Sequence, residues 1–585
     1  MIIDYDPSLG KFIVGCEFEE LALVRGIPNR RYDKSRKLWI AGPTESNVAY
    51  FNRLKVGFTE DAKIQIQNIM DGPKFKHSIL PETFHFRKPP MSQQLEPLLR
   101  MADLAAYALF MDPGTGKTKI FIDDVNVSFL RKEITAAVVL CPNSVKSNWV
   151  DELLLHSSEK FDVHVYDSGF KAQAEKFSMK PHEGKVKWLI MGIESLSQGG
   201  ADAILDKFLC LNRSVFIIDE SDTIASHDAI RTRKCHKLAR LAIKRRIGTG
   251  TPISKGIHNT WSQYEFLDPG ILDTGYYSFT NHYCIKGGFK GKQIVANCNE
   301  SEFIDLVAPY TFQISKAECL DLPPKIYQIR KVTPTPEMRR MYEELRKSGA
   351  ILREDDSVLL SYNNVLVRDL RLQQLTGGFI TPNQVNPVGF YGDKEDETLD
   401  EEVIEAVHQQ AEPLPGPNPK LQDLLAYIYQ IRSEEKAIIW ARFTPEVNLI
   451  TEALKKEYGD AAVVTFSGQT NTDQRAEARR RFQTDSNTRF FVGQISTGGI
   501  GITLTASSYE LYFSNSWALR HRIQSEDRAH RVGQTKSVIY VDFLINMPWI
   551  DSKILKSLNS GKSYTETIMA EVREATRGYD TRTTA

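Results

Sequence analysis

The sequence predicts an α/β protein: two parallel-sheet lobes with helical insertions, preceded by a small N-terminal α+β module. Three observations carry this. After Gly114, short apolar runs ("AAVVLCP", "KWLIMGI", "SVFIIDE", "KRRIGTGTP") alternate with longer amphipathic stretches. The alternation returns late in "KAIIWARF", "AAVVTFSG", "RFFVGQI", "YELYFSN" and "SVIYVDFL". Runs of this length, bounded by turn residues and separated by helical patterns, read as buried parallel strands. The first residues behave differently: "GKFIVGCEF" alternates as a half-buried strand does, and "RRYDKSRKLWIAG" reads as two short strands about a turn at Asp33 to Arg36.

In chain order, residues 1–75 make the separate module. Pro89 and Pro90 then break the chain before a helix that leads into the first lobe, 76–322. The second lobe, 323–585, carries an insertion over 336–418: a helical stretch from Pro336 to Gly378, then a connection rich in Pro, Gly and acid. The acidic run Asp393 to Glu405 reads as solvated chain, and the tail Arg577 to Ala585 as frayed.

Composition narrows the function classes. Of 585 residues, 41% are hydrophobic and 25% charged, which excludes a disordered, collagenous or coiled-coil chain. Lys plus Arg number 74 and Asp plus Glu 74, so any nucleic-acid site must be a local basic patch. Seven cysteines show no CxxC, which argues against a disulfide framework or a zinc module. The dispersed histidines form no HxxxH with a third ligand, so no metal centre is expected from them. No run approaches the roughly 18 apolar residues of a membrane span, and Asp4 and Asp6 do not suit a signal peptide. A soluble, intracellular protein without membrane attachment is expected.

The strongest local signal is "MDPGTGKT", Met111 to Thr118. It resembles the P-loop pattern G-x-x-x-x-G-K-[ST], with Met111 in place of the first glycine. The amides of Pro113 to Gly116 frame a phosphate cradle, with Gly114, Thr115 and Gly116 as its donors. Lys117 would reach the β- and γ-phosphates of ATP, and Thr118 would ligate Mg²⁺. Downstream, the apolar run "VFIIDESD" ends in Asp219 and Glu220. Carboxylates at a strand's C-terminal edge face the crevice where α/β proteins bind ligands. Asp219 suits Mg²⁺, and Glu220 suits a general base that orients water at the γ-phosphorus.

With these motifs in hand, the chain resembles the superfamily-two helicase-type ATPases of the Swi/Snf (chromatin-remodeller-like) branch. "CPNSVKSNWVDEL" resembles segment Ia of that branch, "GTGTPIS" segment III, "STGGIGITLTAS" segment V and "QSEDRAHRVGQ" segment VI. The resemblance runs from about Lys88 to Leu544 and implies two RecA-like lobes. It implies nucleotide contacts at Gln94 (in "RKPPMSQQ", the Q segment), Gly501 and Gln524. It also implies catalytic arginines at Arg528 and Arg531, which at a spacing of three would share one helix face. Phosphate-backbone contacts follow by the same resemblance at Ser144, Asn148, Thr249, Arg442, Gly468, Ser496, Thr497 and Trp517. Segment II departs from the branch at Asp222, where histidine is usual; this bears on coupling between the ATP site and segment III.

The N-terminal module resembles the HepA-related (HARP) domain found before such motors in annealing helicases, over Phe12 to Glu19 and Ile27 to Trp39. Arg30, Arg31, Lys34, Arg36 and Lys37 beside Tyr32 and Trp39 suit phosphates and stacked bases, or equally a small β core with a solvated turn. The expected function is an ATP-dependent duplex-DNA translocase acting on forks or junctions, monomeric, with ATP and Mg²⁺. It would work in a bacterial or phage-infected cytoplasm, or in a nucleus if the source is eukaryotic. A strand-separating helicase and a nucleotide-gated DNA-binding protein with little turnover stay open beside it.

Overall fold

The computed structural model describes residues 1–6, 11–17, 20–27, 30–33, 36, 38–42, 45–54, 56–70, 78–197, 200–253, 256–287, 293–348, 350–352, 358–361, 365–381, 411–467, 470, 472–496, 502–546 and 549–561. The acidic run, the C-terminal tail, Gly468, Thr497 and Gly501 lie outside the described residues, as do Lys34 and Lys37. The chain forms two compact units, Met1–Cys319 and Leu320–Ser563. Each has its own parallel sheet, as the apolar runs predict.

The first unit opens with a five-stranded sheet in the order Arg31–Asp33, Leu38–Ala41, Lys11–Gly15, Ile2–Asp6, Gly57–Phe58. All pairs are antiparallel except the last, between Ile2–Asp6 and Gly57–Phe58. Helices Glu45–Arg53 and Glu60–Met70 accompany it, and Ile3, Phe12, Val14, Val24 and Phe51 form its buried centre. This is the α+β module of the sequence reading, with Arg31–Asp33 and Leu38–Ala41 paired antiparallel.

The larger sheet of this unit runs Thr311–Ile314, Ala106–Met111, Lys244–Thr249, Ser214–Asp219, Ala136–Cys141, Val186–Gly192, Phe161–Val165, every pair parallel. Its central strands are buried on both faces, which is why they are continuous apolar runs. Lys244–Thr249 carries three cations into this setting. Arg246 is fully buried; its Nε donates to Asp124 at 3.0 Å and its Nη2 to the carbonyls of Met101 and Leu104. Lys244 donates to Ala102 O at 2.6 Å and to Ser128 Oγ at 2.9 Å. Asp124 and Ser128 lie on the helix Lys117–Leu130, so that helix is pinned to the strand. A buried charge of this kind is tolerated only when so fully partnered.

The sheet of the second unit runs Lys325–Val332, Val538–Ile545, Ser507–Tyr512, Lys436–Ala441, Phe490–Gln494, Val463–Phe466, again all parallel. Among the described residues, the stretch read as helix from Pro336 to Gly378 is helical at Pro336–Ser348 and Val365–Gly377. Between them lies an antiparallel strand pair, Ala350–Leu352 with Val358–Ser361. The β-branched and leucine residues of its two strands suit that pair.

On the strand Ser507–Tyr512 of this sheet, Glu510 is fully buried. It accepts hydrogen bonds from Trp440 Nε1 (2.9 Å), Tyr512 Oη (3.1 Å) and the Ala529 amide (3.3 Å). Burial pushes its carboxyl up to about 8. The folded state then holds a proton that the unfolded chain releases near pH 4.5, so stability falls as pH rises through that window. Thermal melts are expected to lose about 2 kcal/mol between pH 6 and pH 9, and Glu510→Gln is expected to flatten that loss. An equal alkaline loss in the variant would show that another group titrates.

Candidate functional site

Three sequence segments meet at the C-terminal ends of three neighbouring strands in the first unit. The "MDPGTGKT" loop follows Ala106–Met111, "GTGTP" ends Lys244–Thr249, and "DESD" ends Ser214–Asp219. The register places Thr249 opposite Phe110 and Asp219 opposite Gly248. Gly116 takes φ +95° and caps the helix Lys117–Leu130, a left-handed position that only glycine adopts freely. A Cβ there would lie 2.0 Å from Gln94 Nε2, and one on Gly250 would lie 2.6 Å from Pro113 Cδ. Segment III therefore meets the Pro113 ring of the phosphate loop with no side chain of its own at Gly250.

Within the loop, Lys117 is buried, and its ammonium donates to the carbonyl of Met111 at 2.7 Å. Thr115 is buried with its hydroxyl on Asp112 O at 2.7 Å. Asp112 in turn accepts from the Lys316 amide at 2.8 Å, tying the loop to the edge strand's end. Thr118 sits half-buried in the first helical turn. Gln94 accepts the Met91 amide at 2.8 Å and donates to Gly116 O at 3.1 Å. Gln93 donates to Thr115 O at 3.2 Å. Both glutamines thus brace the loop from the helix Ser92–Met101, and the Gln94 amide is engaged at both ends.

Asp219 is buried, and its Oδ2 accepts the indole N–H of Trp149 at 2.9 Å. Burial, then the neighbouring Glu220 carboxylate, push its carboxyl up to about 6 against the pull of Lys117 and the indole. Glu220 takes φ 58°, ψ 60°, left-handed backbone in a residue with a Cβ, which costs on the order of 1–3 kcal/mol. Its Oε2 accepts from Thr249 Oγ1 at 3.4 Å, and Thr249 Oγ1 accepts the Thr251 amide at 3.0 Å. Asp219 and the hydroxyl of Thr118 are hard oxygen donors. Mg²⁺ takes one or two protein oxygens beside phosphates and water, so this donor set fits it. A carboxyl held near 6 by burial is also one that a cation would stabilise in its charged form.

Two expectations change here. Thr249, expected on a DNA-facing surface, is fully buried and turned toward Glu220, because it is the last residue of a central strand. Trp149, quoted only as part of segment Ia, reaches inward from the helix Lys146–His156 to the metal-type carboxylate. Its neighbour Asn148 stays half-exposed, and Ser144 lies in the preceding 3-10 turn Asn143–Val145.

In the second unit, Gln524 and Arg528 are buried on the helix Leu519–Ala529, and Arg528 Nη1 donates to Ile502 O at 3.3 Å. That helix ends at Ala529, so Arg531 lies in the following turn and shares no helix face with Arg528; the spacing argument fails at the cap. Arg531 is half-buried, and its carbonyl accepts the Gln534 amide at 3.0 Å. His530 reaches the carbonyl of Pro323 at 2.8 Å, a contact far along the chain. The Arg442 amide donates to Ser514 Oγ at 2.7 Å, and its guanidinium to Gln373. Trp517 is half-buried with the Lys553 ammonium 5.3 Å from its ring centre, and Ser496 sits in a turn after Phe490–Gln494. No helix among the described residues is long and apolar enough to cross a membrane.

Comparison with known proteins matches residues 93–376 to the SNF2-related domain and residues 419–533 to the helicase conserved C-terminal domain. The chain is 23% identical over 539 residues to the SWI/SNF-related matrix-associated actin-dependent regulator of chromatin subfamily A-like protein 1 homolog of Caenorhabditis elegans, across 89% of this chain and 69% of that one. It is 24% identical over 456 residues to the DNA annealing helicase and endonuclease ZRANB3 of Mus musculus, across 76% of this chain but only 37% of that one. A Sulfolobus solfataricus SWI2/SNF2 ATPase core, solved in complex with dsDNA, is 21% identical; it covers 84% of this chain and 95% of its own, with a TM-score of 0.36. With both domain types in order along one chain, the protein belongs to the SNF2-type family of helicase-like ATPases.

Proposed function

We propose that the protein couples ATP hydrolysis to movement along double-stranded DNA and remodels forks or junctions by annealing, fork regression or branch migration. The observation that carries this reading is the convergence of Lys117, Thr249 and the Asp219–Glu220 pair at three adjacent strand ends. Lys117 and the amides of Gly114, Thr115 and Gly116, in the loop that Pro113 opens, hold the β- and γ-phosphates. Thr118 and Asp219 hold Mg²⁺, which neutralises phosphate charge when bound. Glu220 takes the proton of the attacking water, and Arg528 and Arg531 answer the charge that builds on the phosphoryl oxygens. Gln94, Gly501 and Gln524 complete the nucleotide contacts. Asn148, Ser144, Arg442, Gly468, Ser496, Thr497 and Trp517 meet the DNA backbone.

Residues 1–75 serve as the structure-selective module. Tyr32 and Trp39 pair across two strands with ring centres 5.0 Å apart, and the Arg30 guanidinium lies 6.0 Å from the Trp39 ring. Tyr32 is 44% exposed, which suits stacking on an unpaired base. A relative named as a DNA annealing helicase supports annealing as the remodelling step.

The test is the ATPase rate with single strands, duplex, forks and four-way junctions. Duplex and forked DNA are expected to raise kcat at least about tenfold, and third-strand displacement is expected from a triplex without separation of the duplex strands. A rate indifferent to DNA removes the motor reading, and efficient unwinding of a plain duplex replaces it with a strand-separating helicase.

A further inference from the structure

Ser221 directly follows the Asp219–Glu220 pair, and its hydroxyl donates to Gln263 Oε1 at 2.7 Å. The other end of the same amide donates to Pro252 O at 2.9 Å and to Asn259 O at 3.1 Å. Ser221 and Gln263 are both fully buried. Pro252 closes "GTGTP", so a single side chain ties the turn after the catalytic carboxylates to the far end of segment III. The near end is already tied, by Thr249 to Glu220. The two ties clamp residues 220–221 and 249–252 into one body.

Gln263 lies on the helix Trp261–Leu267, outside every motif in the sequence. The position needs an acceptor at one end for the serine hydroxyl and a donor at the other for two carbonyls. Among side chains of this length, glutamine meets both demands; an ionised glutamate cannot donate, and methionine fills the volume but bonds to neither. A buried amide left half-paired would be costly, so the amide holds both partners together.

We propose that Gln263 is a positioning residue that couples the ATP site to segment III, in a chain whose segment II ends in Asp222. Events at the Glu220–Ser221 turn reach segment III through it, and DNA-dependent acceleration of hydrolysis depends on it. The inference rests on the ATP-driven motor proposed above and adds the route by which track and hydrolysis communicate.

The experiment compares the full chain with Gln263→Met, Ser221→Ala and the double variant, with and without duplex DNA. The readouts are kcat, KM for ATP, and DNA affinity with and without a non-hydrolysable ATP analogue. Each single variant is expected to lose about tenfold in DNA-stimulated kcat with KM for ATP within about twofold. The analogue-dependent change in DNA affinity, which a merely structural residue would leave alone, is expected to collapse. The double variant is expected to be no worse than the more affected single one, since both cut the same link. Unchanged stimulation in folded single variants, or losses that multiply in the double variant, overturns the proposal. If Gln263→Met melts below the assay temperature, Ser221→Ala, which removes one oxygen, decides alone. A parent protein that DNA does not stimulate would instead sink the motor reading and take this inference with it.

Discussion

Glu220→Gln is expected to bind ATP as tightly as the parent and to hydrolyse it at least about a hundredfold more slowly, with or without DNA. The exchange keeps the size and the acceptor oxygen that Thr249 meets at 3.4 Å. It removes only the capacity to take a proton. The backbone argues for the role independently: a non-glycine residue at φ 58°, ψ 60° is held there at a cost, and such strain persists where the surroundings impose it. Here the imposing features are a buried strand ending at Asp219 and the 3-10 turn Ser221–Ile224 that starts immediately after. Together they swing the Glu220 side chain toward segment III. Lys117→Ala is expected to differ in kind, losing nucleotide affinity itself, because the ammonium that contacts Met111 O is the only cation on the loop between Met111 and Gly116 and the start of its helix at Lys117. Equilibrium binding of a fluorescent ATP analogue beside single-turnover hydrolysis separates the two. Normal turnover by Glu220→Gln would take the base assignment away from this residue.

The strands were readable because burial on both sheet faces leaves a run of apolar residues with little else to be. The phosphate loop was readable because its glycines answer a backbone need: Gly116 sits at φ +95° against Gln94. Other parts leave no local trace. Strand order puts the "GTGTP" strand beside the phosphate-loop strand although more than a hundred residues separate them, and only the folded register shows that Thr249 turns inward. Gln263 carries no pattern at all, since its importance lies in partners at Ser221, Pro252 and Asn259. Basic residues mislead in the other direction. Lysine and arginine are mostly exposed in folded proteins, yet Lys244 and Arg246 are both buried and hold the phosphate-loop helix in place.

The arginines in and just before segment VI show that ambiguity most sharply, and they lead to opposite expectations for two substitutions. Arg522 is buried, with its guanidinium 3.6 Å from the centre of the Tyr512 ring. It donates to Asp542 at 2.6 and 3.1 Å, to Glu526 at 2.9 Å and to Asn515 at 2.9 Å. Glu526 keeps Lys325 and Tyr327 as further partners, whereas among the described residues Asp542 would keep only the Asn515 amide. Arg522→Met therefore strands a buried carboxylate, and the loss is expected to be about 3–5 kcal/mol, or roughly 10 °C in the melting of a unit this size. Arg531 is half-buried beyond the helix end, and Arg531→Ala is expected to shift melting by no more than about 2 °C while lowering kcat at least about a hundredfold. Calorimetry and ATPase assays on the same preparations test both. Two variants that melt alike and turn over alike would mean that burial does not separate the scaffold arginine from the catalytic one; a destabilised Arg522→Met beside a stable, silent Arg531→Ala would mean that it does.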